Sequence, residues 1–129
     1  MNNIIKLDIT LPASPQEIYD AWMSSEGHTA MTGSAAEVDP KVGGLFTAWE
    51  GYINGKNLEL EPYRRFVQSW RTTEFPKDAP DSKIEVLLEA VKKGTKLTLI
   101  HTEMPEGSAE EYRKGWEDFY FKPMKDYFI

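Results

Sequence analysis

The sequence predicts an α+β fold in which a curved antiparallel sheet of about six or seven strands wraps around a long C-terminal helix. Three observations support this prediction. Short segments with the alternating apolar pattern of strands follow one another from residue 34 to residue 103, separated by tight turns. One or two short helical segments come between the first strand and this run. Aromatic residues then recur at helical spacing towards the C-terminus.

The first strand and the short helices are marked by local signals. Apolar and polar residues alternate over residues 4–11, as in a half-buried strand. Ser14 and Glu17 have the spacing of a capping box, and the proline between them suits the first position of a helix. A second short helix is predicted over residues 25–31, ending near Gly33. We therefore expect two short helices directly after the first strand.

The central run predicts consecutive hairpins. A strand is predicted over residues 45–53, followed by a turn at Asn54 and Gly55, the pair most typical of a type I′ turn. Another strand is predicted over residues 66–72, and the polar segment 76–82 is the longest predicted loop. Strands joined by turns this short indicate antiparallel pairing.

The last strand and the last helix carry most of the chemistry in the sequence. Leu97, Leu99 and His101 share one face of the last strand. An aromatic stripe then follows the helix that begins near Ser108. The stripe consists of Tyr112, Trp116, Phe119, Tyr120, Met124 and Tyr127. Because proline lacks an N–H and crowds the preceding turn, we expect a kink or break at Pro123.

Composition excludes several classes of function. The chain has 129 residues, which fits one domain over residues 1–129. It has no cysteine, so disulfides and thiolate chemistry are absent, in agreement with a cytoplasmic location. A net charge of −6 argues against binding to nucleic acid. No signal peptide, membrane-spanning run or metal-ligand spacing is present, so we expect no membrane association, metal or other cofactor.

Several segments resemble a known family. They are residues 51–55, 58–62, 67–71 and 94–97, Pro105, Gly115-Trp116 and residues 119–121. In their order and spacing these segments resemble the C-terminal domain of the activator of heat-shock protein 90 ATPase. Ala21-Trp22 and residues 42–44 are similar to the broader group of such homologues. The resemblance implies the helix-grip fold, which also occurs in START lipid-transfer domains, the birch-pollen allergen and polyketide cyclases. It also implies a possible partner, a heat-shock protein 90-type chaperone.

A sheet that curls around a helix leaves room for an apolar cavity between the two, and small-molecule sites are commonly built this way. We predict that this cavity binds a small hydrophobic molecule. Its predicted lining residues are Trp22, Trp49, Trp70, Leu99, His101, Trp116, Phe119 and Tyr120. The leading hypothesis is therefore a binding domain without catalytic residues, whose ligand is a small apolar molecule, a protein partner such as a chaperone, or both. The sequence does not specify an oligomeric state.

An enzyme of the polyketide cyclase or aromatase type is the alternative hypothesis. It needs a polar group that can move protons within the apolar cavity. His101 is one candidate, since it shares a face with Leu99. Glu50, if buried, is a second candidate, as a general base with a raised pKa. His28 is predicted to be exposed. A hydrogen bond between His101 and a buried carboxylate beside an open pocket would favour the enzyme.

Overall fold

In the computed structural model, which describes residues 4–128, seven strands form one antiparallel sheet. The strands are β1 (Ile5–Leu11), β2 (Glu37–Val38), β3 (Leu45–Ala48), β4 (Ile53–Glu61), β5 (Arg65–Thr72), β6 (Ser82–Val91) and β7 (Gly94–Thr102). Their order is β1-β7-β6-β5-β4-β3-β2, so β2 to β7 form a meander and β1 pairs beside β7. Helices and the apolar side chains of the sheet form one core cluster. The predicted α+β class and sheet are confirmed.

Two short helices follow β1, as the capping signals predict. Helix α1 (Pro15–Trp22) begins with a complete capping box. The Ser14 hydroxyl accepts from the Glu17 N–H at 3.1 Å, and the Glu17 carboxylate accepts from the Ser14 N–H at 2.9 Å. Helix α2 (Ser25–Thr32) ends at Gly33, whose φ of +83° is the left-handed conformation that favours glycine at this position.

The predicted turn at Asn54 and Gly55 is wrong, because both residues lie within β4. The connection between β3 and β4 comes earlier, at residues 49–52, where Ala48 pairs with Ile53. Trp49 and Glu50 adopt φ values of 52° and 57°, the positive values that a type I′ turn needs at both central positions. The sequence signal failed because this turn uses residues that rarely take that conformation.

Gly55 allows neighbouring groups to pack closely against β4 and does not form a turn. A Cβ atom at this position would collide with the carbonyl oxygen of Ser69 on β5 and with the ring of Phe46 on β3. Glycine within a strand commonly marks such a close approach. The Asn-Gly pair is therefore explained by tertiary contacts, which local propensity does not include.

The C-terminal helix is continuous but not uniform. Helix α3 (Ala109–Trp116) leads into one π-helical turn (Glu117–Phe121), which leads into α4 (Lys122–Tyr127). At this junction the Lys122 N–H donates to the carbonyl of Glu117, five residues earlier. The sequence predicts a kink or break at Pro123. The structure instead has the wider π-helical turn, which ends just before the turn that contains the proline.

The π-helical turn also changes which residues of the helix are buried. Five buried positions recur at every fourth residue, Tyr112, Trp116, Tyr120, Met124 and Phe128, and Phe121 is buried as well. Steps of four residues drift by roughly 40° each in a regular α-helix, and the wider turn compensates for part of this drift. Phe119 and Tyr127 belong to the predicted stripe but are 54% and 46% exposed. Four members of the predicted stripe, Tyr112, Trp116, Tyr120 and Met124, are therefore buried, and two are not.

Candidate functional site: an aromatic pocket beneath the C-terminal helix

A cavity of about 350 Å³ opens between the C-terminal helix and the end of the sheet formed by β3 to β5. Seven of its ten lining residues are aromatic: Trp49, Tyr52, Trp70, Tyr112, Trp116, Phe119 and Tyr120. The other three are Ile53, Glu111 and Gly115. The wall is thus apolar and flat-faced, with phenol groups and a single carboxylate as its polar side chains.

The helix presents two parallel rows of side chains to this cavity. The inner row is Tyr112, Trp116 and Tyr120, and the outer row is Glu111, Gly115 and Phe119. Residues four apart lie on the same face of a helix, so each row follows from spacing alone. Gly115 leaves space in the middle of the outer row. A Cβ atom there would meet only the Phe119 ring, at 4.0 Å.

The opposite side of the cavity is formed by the β3–β4 turn and β5. Trp49 lies on the turn in the left-handed conformation, with φ of 52°. Its ring meets the exposed ring of Phe119 edge-on, with centroids 5.3 Å apart. The indole N–H of Trp49 is shielded and has no hydrogen-bond partner among residues 4–128. Backbone strain and an unpaired donor both cost stability, and such costs are characteristic of binding sites.

His101 does not line the pocket, contrary to the prediction. Its ring is fully buried, and Trp116 Nε1–H donates to His101 Nδ1 at 3.0 Å. His101 Nε2–H therefore donates to Ser82 Oγ at 2.8 Å, and Ser82 donates in turn to the Trp70 carbonyl at 2.7 Å. Burial lowers the pKa of His101 to about 3. Both ring nitrogens are occupied, so this histidine orients Trp116 and Trp70 from behind the pocket wall.

His28 is buried, not exposed, with only 1% of its surface accessible. Its Nδ1–H donates to the Trp22 carbonyl at 3.0 Å, and the Tyr120 hydroxyl donates to Nε2 at 2.7 Å. Burial lowers the pKa of His28 and raises that of Tyr120, so both remain neutral at pH 7. His28 is buried by residues far away in sequence, such as Tyr120, so the pattern of its own helix did not predict its burial.

Trp22 and Leu99 also lie in the core and not on the pocket wall. Trp22 stacks on Tyr120 with centroids 5.2 Å apart and is 2% exposed, while Leu99 is fully buried. Glu50, considered as a buried general base, is exposed on the β3–β4 turn. The alternation pattern placed Glu50 inside a strand over residues 45–53, whereas β3 ends at Ala48 and Glu50 lies on the turn that follows it. Within residues 4–128, the hydrogen-bond partners of the His101 ring are Ser82 and Trp116, and no carboxylate is among them.

Five of the eight predicted residues are brought together at the pocket: Trp49, Trp70, Trp116, Phe119 and Tyr120. The prediction omitted Tyr52, Ile53, Glu111, Tyr112 and Gly115, although Tyr112 belongs to the same stripe as Trp116. The four-residue rows of the helix would have identified Tyr112, Glu111 and Gly115. Tyr52 had no such signal, because its position depends on where the β3–β4 turn falls.

The polar groups of the pocket form a small cluster at its side. The hydroxyl groups of Tyr112 and Thr72 lie 2.7 Å apart. Burial raises the pKa of Tyr112 to about 12, and the nearby carboxylates of Glu111 and Glu74 contribute to the rise. The phenol is therefore a neutral hydrogen-bonding group.

No cluster of His, Asp and Glu within residues 4–128 is placed to hold a metal ion. In the same range, no helix combines the length and apolarity that crossing a membrane requires.

An antiparallel sheet curved around a C-terminal helix, with a pocket between them, defines a helix-grip protein. The chain belongs, more particularly, to the family described as Activator of Hsp90 ATPase homolog 1-like protein, whose model matches residues 12–128. This confirms the resemblance seen in the sequence.

Comparison with individual proteins gives the same result. The chain is 28% identical over 124 residues to the human "Activator of 90 kDa heat shock protein ATPase homolog 1", covering 96% of this chain and 36% of that protein. It therefore spans about a third of the length of the curated relatives it matches. Among solved structures, an HSP90 activator from Plasmodium falciparum has a TM-score of 0.87 at 26% identity, covering 95% of this chain and 94% of that one. CalU16 from Micromonospora echinospora has a TM-score of 0.72 at 28% identity, covering 94% and 74%.

Proposed function

We propose that this protein is a non-enzymatic binding domain that holds a small hydrophobic molecule in the aromatic pocket. The observation that carries the proposal is the pocket itself: about 350 Å³ in volume and walled by seven aromatic residues. This volume falls within the range of roughly 300–1,000 Å³ that small-molecule sites occupy. Burying an apolar ligand against these rings is favourable by about 25 cal/mol for each Å² removed from water.

Binding fits the site better than catalysis does. General acid–base chemistry needs a donor or acceptor within hydrogen-bond reach of the substrate and a second group that orients it. His101 is well oriented but lies behind the wall, with both nitrogens engaged. The only charged lining residue is Glu111, which is exposed. These positions argue against the cyclase-like alternative.

The binding proposal can be tested by filling the pocket from the helix. In Gly115→Leu the new side chain enters the cavity, and the backbone conformation of Gly115 accepts it without strain. The matched control is Lys114→Leu, which adds a leucine at the neighbouring, exposed position. We expect the neutral probe N-phenyl-1-naphthylamine to bind the wild type and the control, and to bind Gly115→Leu at least tenfold more weakly. Equal binding to all three would refute the proposal.

We also propose that the domain binds a heat-shock protein 90-type chaperone. Membership of the activator family and the likeness to the Plasmodium HSP90 activator support this second function. Titration calorimetry with purified heat-shock protein 90 tests it, with saturable binding as the expected result. Absence of heat at micromolar concentrations would contradict it. Repeating the titration with Gly115→Leu shows whether the pocket takes part.

A further inference from the structure

The charges around the aromatic pocket are all of one sign. Glu111 is the only charged residue among the ten that line it, and no lysine or arginine is among them. Glu74 lies near the same wall, since both carboxylates act on the phenols of Tyr52 and Tyr112. Within residues 4–128, neither Glu74 nor Glu111 forms an ion pair. The pocket therefore carries uncompensated negative charge at its edge.

The aromatic wall has the same electrostatic preference. The face of an aromatic ring is the negative part of its quadrupole, and it attracts organic cations within about 6 Å. Around the pocket the rings stand at different angles. Trp70 and Tyr112 are nearly perpendicular, at 84° and 5.2 Å, and Trp70 and Trp116 are inclined at 35° and 5.6 Å. The rings that line the cavity thus stand at several inclinations to one another, and aromatic residues of this kind also form the sites that recognise alkylammonium groups.

We infer that the natural ligand of this pocket is a hydrophobic organic cation, an alkyl- or arylammonium compound, with its apolar body among the rings and its ammonium group beside Glu111. This inference rests on the proposed function, because it names the ligand class of the same pocket. An organic anion of the same size would meet repulsion from both the ring faces and the carboxylates. Its apolar burial would be the same, so charge alone separates the two classes.

Three probes of equal chain length separate charge from apolar burial: octylammonium, 1-octanol and octanoate, titrated at pH 7 with tryptophan fluorescence. Three of the four tryptophans, Trp49, Trp70 and Trp116, line the cavity, so occupancy changes the signal. We expect octylammonium to bind about tenfold more tightly than octanoate, with 1-octanol between them. Because edge charges are screened, this preference should shrink at 1 M salt.

The carboxylate is tested with a matched pair of variants on the same helix. Glu111→Gln should reduce the octylammonium-to-octanoate ratio about three- to fivefold and leave 1-octanol binding unchanged. The control Glu110→Gln removes the same charge from a side chain that is 93% exposed, pairs with Arg113 and does not line the pocket. It should leave the ratio unchanged. Circular dichroism confirms that each variant is folded.

The outcomes distinguish this inference from the proposal on which it rests. Equal binding of all three probes, lost in Gly115→Leu, would overturn the cation preference and leave the binding function standing. Tighter binding of octanoate would overturn the preference in the same way. No binding of any probe to the wild type would overturn both proposals. An equal loss of preference in Glu110→Gln would show that general protein charge, not Glu111, is responsible.

Discussion

The space under the C-terminal helix has a closed end and an open end, and both are built from aromatic residues. At the closed end Trp22, His28 and Tyr120 pack with every polar atom of the histidine and the phenol in a hydrogen bond. At the open end Trp49 and Phe119 leave a cavity, and the indole N–H of Trp49 has no hydrogen-bond partner in the part of the chain that the structure describes. The difference shows that aromatic composition does not define a binding site. Incomplete packing of the rings distinguishes the binding site from the core.

Trp116 belongs to both ends, so its removal should have the largest effect. It is 3% exposed, donates to His101 and stacks near Trp22. We expect Trp116→Ala to lower the free energy of unfolding by about 3–5 kcal/mol, measured by urea denaturation. Tyr127→Ala, at an exposed position, is the control and should cost well under 1 kcal/mol. A loss below 1 kcal/mol for Trp116→Ala would show that the two ends are not joined through this ring.

The closed end should make stability sensitive to acid. The pKa values of His28 and His101 are lowered in the folded protein, to about 3 for His101, from an ordinary value of 6.5. As the pH falls below 6.5, the unfolded chain takes up protons that the folded chain refuses, so the free energy of unfolding falls. His101 contributes a loss of roughly 2 kcal/mol between pH 7 and pH 5, and His28 contributes a loss of the same sign.

This pH dependence is measured by urea denaturation at each pH. His101→Gln should be less stable throughout but should lose roughly 2 kcal/mol less than the wild type between pH 7 and pH 5. As an independent measurement, the imidazole NMR signals of His101 in the folded wild type should not titrate between pH 8 and pH 5, and those of His28 should show no midpoint at its ordinary value of 6.5. Titration of either ring near pH 6.5 would contradict the closed packing.

A single hydroxyl tests the hydrogen bonding at the closed end. Tyr120→Phe leaves the ring in place and removes the donor to His28 Nε2, which then remains buried without a partner. We expect a loss of about 1–2 kcal/mol in the free energy of unfolding. The control Tyr127→Phe, at an exposed position, should be neutral. If both variants behave alike, the closed end does not depend on this bond.

At the open end we expect a substitution to weaken ligand binding more than it lowers the free energy of unfolding. Phe119 is 54% exposed and packs edge-on against Trp49. We expect Phe119→Ala to change the free energy of unfolding by less than about 1 kcal/mol, because little apolar area is buried there. Binding of N-phenyl-1-naphthylamine should weaken severalfold, since one ring of the wall is lost. A large loss of stability with unchanged binding would place Phe119 in the core.

The order of the elements, the α+β class and the family could all be predicted from local sequence patterns. These depend on local signals such as the capping box of Ser14 and Glu17, the alternation in the strands and the four-residue rows of the last helix. Three of the aromatic residues predicted to line the pocket, Trp116, Phe119 and Tyr120, belong to the stripe predicted from helical spacing, since side-chain direction on a helix follows from spacing.

Which aromatic residues line the cavity and which fill the core depends on tertiary contacts and could not be predicted from local patterns. The β3–β4 turn falls at Trp49 and not at Gly55, because Gly55 is needed where the backbone of β5 and the ring of Phe46 approach. The π-helical turn moves Phe119 to the surface, and distant partners bury both histidines. Each of these outcomes depends on contacts between residues far apart in sequence, which local patterns do not encode.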